Sequence, residues 1–158
     1  MKLAGTYEFN APRAVVWEML QDPDVIGQIM PGSEKLEEVE ENKYKAVMIV
    51  KVGPVTGRFE GSVELTDLNP PESYTMILGG KGSAGHMNGT GTVELEDNGD
   101  ETTTMHYSGE AQVGGRIAAV GQRLLDMAGK MIAKQSLKNL AKQVEQRIAQ
   151  GDEPAKLV

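Results

Sequence analysis

Between Gly114 and Gln150 apolar residues recur at helical spacing, with Ile117, Val120, Gly121, Leu124, Leu125, Ala128, Met131 and Ile132 at i, i+3, i+4 and i+7. The spacing predicts an amphipathic helix. Gly114-Gly115 breaks the stretch before it and Gly151 stops it, so as many as about 34 residues are available, ~50 Å at ~1.5 Å per residue. A domain of this size is only ~40 Å across, and such a helix has to bend or overhang. Past Lys134 the apolar side changes, because Leu137, Leu140, Ala141, Val144 and Ile148 fall roughly opposite the earlier stripe. The exchange predicts either a kink between Gly129 and Ser136 or a C-terminal half docked on a second surface, such as another subunit or a membrane.

Upstream, the period changes to two. Lys2 to Phe9 alternates, and Asn10-Ala11-Pro12 then supplies a cap and a first-turn proline for a short helix burying Val15, Val16, Trp17, Met19 and Leu20. Asp22-Pro23 stops that helix and caps a second one through Val25, Ile26 and Ile29, ended by Pro31-Gly32. Roughly six further strands follow, near 34–40, 43–52, 57–68, 73–81, 86–97 and 101–113. Asn42, Pro70-Pro71 and Asn98-Gly99 mark tight connections. Consecutive strands with short links imply an α+β fold in which an antiparallel, strongly curved sheet wraps the final helix.

One phase of these strands is free of carboxylate, histidine and lysine. It reads Leu3, Gly5, Tyr7, Phe9; Tyr44, Ala46, Met48, Val50; Phe59, Gly61, Val63, Leu65; Tyr74, Met76, Leu78; Met87, Gly89, Gly91, Val93, Leu95; and Met105, Tyr107, Gly109, Ala111, Val113. Glycine removes volume and methionine reshapes around a varied apolar guest, so the mixture suggests an internal cavity. The competing reading is that the glycines serve sheet coiling and the methionines fill an ordinary core. With only two Phe and one Trp, the middle of such a domain fills poorly, which favours the cavity.

Composition narrows the function. The 158 residues make one domain, residues 1–150, with 151–158 expected as a flexible tail, and there is no cysteine for disulfide or thiolate chemistry. A net charge of −7 argues against nucleic acid. No apolar run reaches membrane-spanning length and the N-terminus lacks a signal-peptide core, which predicts a cytoplasmic protein.

Candidate chemistry is sparse. Gly80-Lys81-Gly82-Ser83-Ala84-Gly85 has G-x-G-x-x-G spacing, but an alternating stretch follows where a phosphate site needs a helix. His86 and His106 fall on the outer phase; a hairpin turn at Asn98-Gly99 places His106 opposite residue ~92, too far from His86 to share a metal. Ser108 has no base beside it. The inward tyrosines Tyr7, Tyr44, Tyr74 and Tyr107 are the only proton donors expected inside. Lys130, Lys134, Lys138 and Lys142 form an i+4 row on the last helix of an acidic chain. They read either as a solvated row favoured by the helix dipole or as a contact with an anionic membrane or a partner.

Val16-Trp17 through Leu20, Asp22-Pro23, Met30-Pro31-Gly32, Lys51-Val52-Gly53-Pro54-Val55, Thr56-Gly57-Arg58-Phe59-Glu60-Gly61 and Val113-Gly114-Gly115-Arg116-Ile117-Ala118 with Gly121-Gln122-Arg123 together resemble the CoxG family of carbon monoxide dehydrogenase subunits. The resemblance runs over about residues 1 to 148. It implies the START/Bet v1-like (SRPBCC) helix-grip fold, a curved seven-stranded antiparallel sheet around a long C-terminal helix. It further implies an accessory, non-catalytic role beside a molybdenum hydroxylase such as carbon monoxide dehydrogenase, recruiting it to the membrane and handling a quinone. No catalytic residue and no cofactor carries over, and Val113 to Gly121 carries over as a structural junction at the cavity mouth. Some members of the family continue into a membrane anchor that this sequence does not show; the membrane contact expected here is peripheral, on the inner face of the cell membrane.

The expected ligand is therefore a quinone or isoprenoid lipid held between Phe59, Met76, Met87, Met105 and Tyr107 on the sheet and Leu124, Leu125 and Ala128 on the helix. Two other readings stand beside it. One is a cyclase or aromatase of the same superfamily, which needs ionisable groups inside. The other is a structural adaptor that binds a dehydrogenase through Leu137 to Ile148.

Overall fold

The alternating stretches form strands close to their expected limits. A computed structural model describes residues 1–151, and all of the expected tail 151–158 but Gly151 lies outside the described residues. In chain order the elements are β1 (Lys2–Phe9), α1 (Arg13–Leu20), α2 (Pro23–Ile29), β2 (Ser33–Glu40), β3 (Lys43–Val52), β4 (Val55–Asn69), β5 (Ser73–Gly82), β6 (Gly85–Asp97), β7 (Thr103–Gly114), a 3-10 turn (Arg116–Val120) and α3 (Gln122–Ala149). The sheet runs β1-β7-β6-β5-β4-β3-β2 and every pairing is antiparallel. This is the expected helix-grip order, with α1 and α2 after the first strand and α3 laid across the concave face.

Local chemistry explains the short elements. Asp22 caps α2 by accepting a hydrogen bond from the Asp24 N–H at 2.9 Å. Asn10 does not cap α1 as expected: Pro12 is the N-cap, with no side-chain cap bond. The β6–β7 connection is also wider than a two-residue turn, since the ladder closes at Asp97 opposite Thr103. His106 consequently faces Glu94, and His86 faces Gly114.

The last helix differs from expectation in two ways. It begins at Gln122, because Gly121 (φ 99°) and Gly115 (φ 84°) take backbone conformations that end the 3-10 turn on either side. Its 28 residues span ~42 Å and run without interruption through 129–136, and of the two alternatives the structure realises the docking on a second surface. The chain's own α1 and α2 supply a second surface under its C-terminal half. Leu140 and Val144 are fully buried in one cluster with α1 and α2 residues, the Asn139 side-chain amide donates to the Ile29 carbonyl at 2.9 Å, and Gln143 donates to Gln28 at 3.1 Å. Between Leu125 and Leu140 the half-buried positions are Asp126, Ala128, Gly129, Ile132, Ala133, Ser136, Leu137 and Asn139. The buried side thus winds round the helix through small residues and does not jump, and Met131, expected in the stripe, is 68 % exposed.

Two separate apolar cores result. The larger joins Phe9, the α1 and α2 residues, Tyr44, Leu65, Tyr74, Val93, Leu95, Met105, Leu140 and Val144. The smaller joins Val52, Phe59, Ala84, Ile117 and Leu125 at the other end of the sheet, where the 3-10 turn and the start of α3 close it.

Candidate ligand-binding site

What lies between the two cores is a belt of small residues crossing the sheet. Three adjoining cross-strand rows compose it: Ala46, Gly61, Gly80 and Met87; Leu78, Gly89 and Ala111; and Gly91, Gly109 and Leu3. All are on the inward phase, and none belongs to either core cluster. Leu3, Leu78 and Met87, with Met48 beside them on β3, are on the inward phase and half-buried, packed into neither core. Opposite the belt α3 is also small, at Ala128, Gly129, Ala133 and Ser136. The helix comes near the sheet at β1 and β3 and stands further from the strands between β1 and β3.

The glycines of the belt are of two kinds. A Cβ on Gly89 would sit 2.7 Å from the Glu110 carbonyl oxygen, and one on Gly5, at the margin of the belt, would collide with the Tyr107 ring. The fixed backbone carbonyl requires glycine at 89, whereas at 5 the Tyr107 ring would have to move. Gly61 and Gly80 differ: their nearest neighbours would be backbone oxygens at 3.6 Å and 3.9 Å, ordinary contact distances. Packing does not demand their missing side chains, since only backbone oxygens would lie within 4 Å of a Cβ at either position.

The eight residues expected to line a cavity do not form one wall. Phe59 and Leu125 are buried in the smaller core, with Leu124 and Ala128 packed against it. Met105 is 2 % exposed in the larger core, and Met76 and Tyr107 pack against that core. Met87 alone of the eight lies in the belt. The belt's further members, Leu3, Met48, Leu78, Gly61 and Gly80, are not among the eight. The signal for them is the register: glycines of neighbouring strands meet across the sheet, as Gly61 does Gly80 and Gly91 does Gly109.

A cavity of about 260 Å³ opens where the belt reaches the sheet edge, lined by Met1, Ala111, Gln112, Val113, Gln122 and Leu125. A larger depression, about 450 Å³, is lined by Ala4, Thr6, Thr92, Glu94, His106 and Ser108 with Gly5 and Tyr107. It offers no activated nucleophile, because the Ser108 hydroxyl pairs with Thr92 at 2.9 Å and His106 Nε2 pairs with Glu96 at 3.0 Å. Among the described residues no group of histidines and carboxylates is arranged to hold a metal. The stretch 80–85 is the end of β5, the turn at Ser83-Ala84 and the first residue of β6, with no helix after it, so it forms no phosphate loop.

The inner face is electrostatically quiet. Burial pushes the Tyr74 hydroxyl far above its ordinary value, with Trp17 stacked edge-on at 5.5 Å. Tyr44 is raised by burial and by the neighbouring Glu38 carboxylate, to which it hydrogen-bonds. Tyrosines held neutral in this way orient a carbonyl or stay silent; they do not supply a base. Lys130, Lys134, Lys138 and Lys142 are all exposed on α3.

Similar proteins agree with this geometry. A conserved protein from Geobacillus kaustophilus superposes with a TM-score of 0.89 at 31 % identity, covering 93 % of this chain and 97 % of that one. A START superfamily protein from Mycobacterium smegmatis gives a TM-score of 0.72 at 12 % identity, over 92 % and 97 %. Zhui aromatase/cyclase from Streptomyces sp. R1128 gives 0.68 at 17 %, over 100 % and 99 %. These last two share the fold alone. No curated protein matches the sequence. The model of the CoxG family of carbon monoxide dehydrogenase subunits matches residues 5–145.

Proposed function

The chain belongs to the CoxG family, and from that premise we propose that it is a non-catalytic accessory protein that holds an apolar small molecule, a quinone or isoprenoid lipid, in the trough under α3. It serves a molybdenum hydroxylase of the carbon monoxide dehydrogenase type and meets the inner face of the cell membrane peripherally. The observation that supports the ligand-binding reading is the belt, where two separate cores flank an inner surface built largely from small residues and free of charge. Such a surface takes an elongated apolar guest and offers little to a charged one. Burying ~300 Å² of isoprenoid surface contributes roughly 7 kcal/mol before the costs of association, which is in the range of useful affinity.

The same inner face supports a role without turnover. A cyclase needs acid and base groups at its substrate, and the inward phase presents only tyrosines. The test is a titration with a menaquinone analogue carrying a short isoprenoid chain, read by calorimetry and by thermal denaturation. Saturable one-to-one binding with a raised Tm is expected. No heat and no Tm change at millimolar analogue contradicts the reading.

A further inference from the structure

Met127 and Met131 lie one turn apart on α3 and are 55 % and 68 % exposed. At ~100° per residue they share one arc of the helix with Arg123, Lys130, Lys134 and Lys138, all exposed. Acidic residues are missing from this arc until Glu145, in a chain whose net charge is −7. On the inward side of the pair Leu124 and Ala128 pack against the smaller core, and the β3–β4 turn closes on Leu124: a Cβ on Gly53 would lie 3.1 Å from Leu124 Cδ1.

We propose that this face of α3 is a docking surface for an anionic phospholipid bilayer, with Met127 and Met131 inserted at the acyl boundary and the flanking cations on the phosphates. The charge pattern selects the partner. Four long cationic side chains surround two flexible apolar ones, an arrangement that lets the charged heads reach outward while the thioethers sink. An acidic protein surface would satisfy the cations and leave the methionines against charge. The inference deepens the carrier reading and rests on it for its purpose: Leu124 and Ala128 join the inserted methionines to the inner face, so the bilayer is where the trough loads and unloads.

The experiment is co-sedimentation of the full chain with phosphatidylcholine vesicles with and without phosphatidylglycerol, alongside the quinone-analogue titration in vesicle-free buffer. Wild-type protein is expected to bind the anionic vesicles and to leave them as salt rises. M127D/M131D, whose sites are exposed and whose melting curve checks the fold, is expected to lose at least about tenfold in partition. Each of K130Q, K134Q and K138Q is expected to lose about fivefold, the equivalent of ~1 kcal/mol per basic residue near an anionic surface. Failure of wild-type protein to bind anionic vesicles, or unchanged binding by M127D/M131D, overturns the proposal. If vesicle binding responds as described while the analogue does not bind in solution, the docking face stands and the carrier reading falls. The reverse result leaves the carrier and removes the docking face.

Discussion

Gly61 and Gly89 are alike in chemistry and opposite in consequence. Both lie on the inner face of the belt, yet a side chain fits at the first and collides with a carbonyl at the second. Gly61→Ala is therefore expected to raise stability by about 0.5 kcal/mol, since it restricts the unfolded chain without native strain, whereas Gly89→Ala is expected to cost about 1 kcal/mol or more. Urea denaturation of both variants checks this. Gly61→Phe, which fills the trough from the sheet side, is expected to abolish binding of the menaquinone analogue and leave unfolding cooperative. Tyr74 makes a further prediction. Its folded-state pKa lies above its unfolded value near 10, so the folded state holds the proton more tightly, and the stability present below pH 10 is lost as pH rises beyond it. In an alkaline titration followed by tyrosinate absorbance, Tyr74→Phe should move the unfolding midpoint to higher pH. At this scale the sequence is easiest to misread, because Met105 and Phe59 attract attention as large apolar residues and each plugs a core. A trough is marked by where bulk is missing, and only the cross-strand register of the glycines carries that information.

α3 is the element that the pattern of apolar positions describes least well. Two stripes on opposite sides of a helical wheel suggest two partners. In the structure the intervening half-buried positions are filled by small residues, Gly129, Ala133 and Ser136, which the pattern of large apolar residues does not pick out. The 3-10 turn, whose apolar residues continue the helical spacing, lengthens the first stripe further, and a left-handed glycine such as Gly121 is not visible as a boundary when it sits in an apolar run. The two ends of the helix nevertheless carry different burdens. Leu140 is fully buried under α1 and α2, and Leu140→Ala is expected to cost about 3 kcal/mol in chemical denaturation. Met131→Ala is expected to stay within about 0.5 kcal/mol of wild type, as an exposed position should. Equal losses at both positions would mean that α3 is covered along its outer side.

Across the whole molecule the sheet was legible almost residue by residue. A period of two, interrupted at Asn42, Pro70-Pro71 and Asn98-Gly99, leaves little freedom for strand limits or neighbours, and the observed order β1-β7-β6-β5-β4-β3-β2 follows from consecutive antiparallel connections with β1 returning beside β7. The division into two cores with a belt of small residues between them was not legible, because it depends on where the helix stands off the strands. Ligand carriage rests on that division, since an ordinary core would join Phe59 to Met105 across the middle of the sheet. Native mass spectrometry of protein purified without detergent, with organic extraction of what accompanies it, tests it most directly. One quinone or prenyl lipid per wild-type chain, absent from Gly61→Phe, is the predicted result; ligand-free mass for wild type together with no uptake of added menaquinone analogue would contradict it.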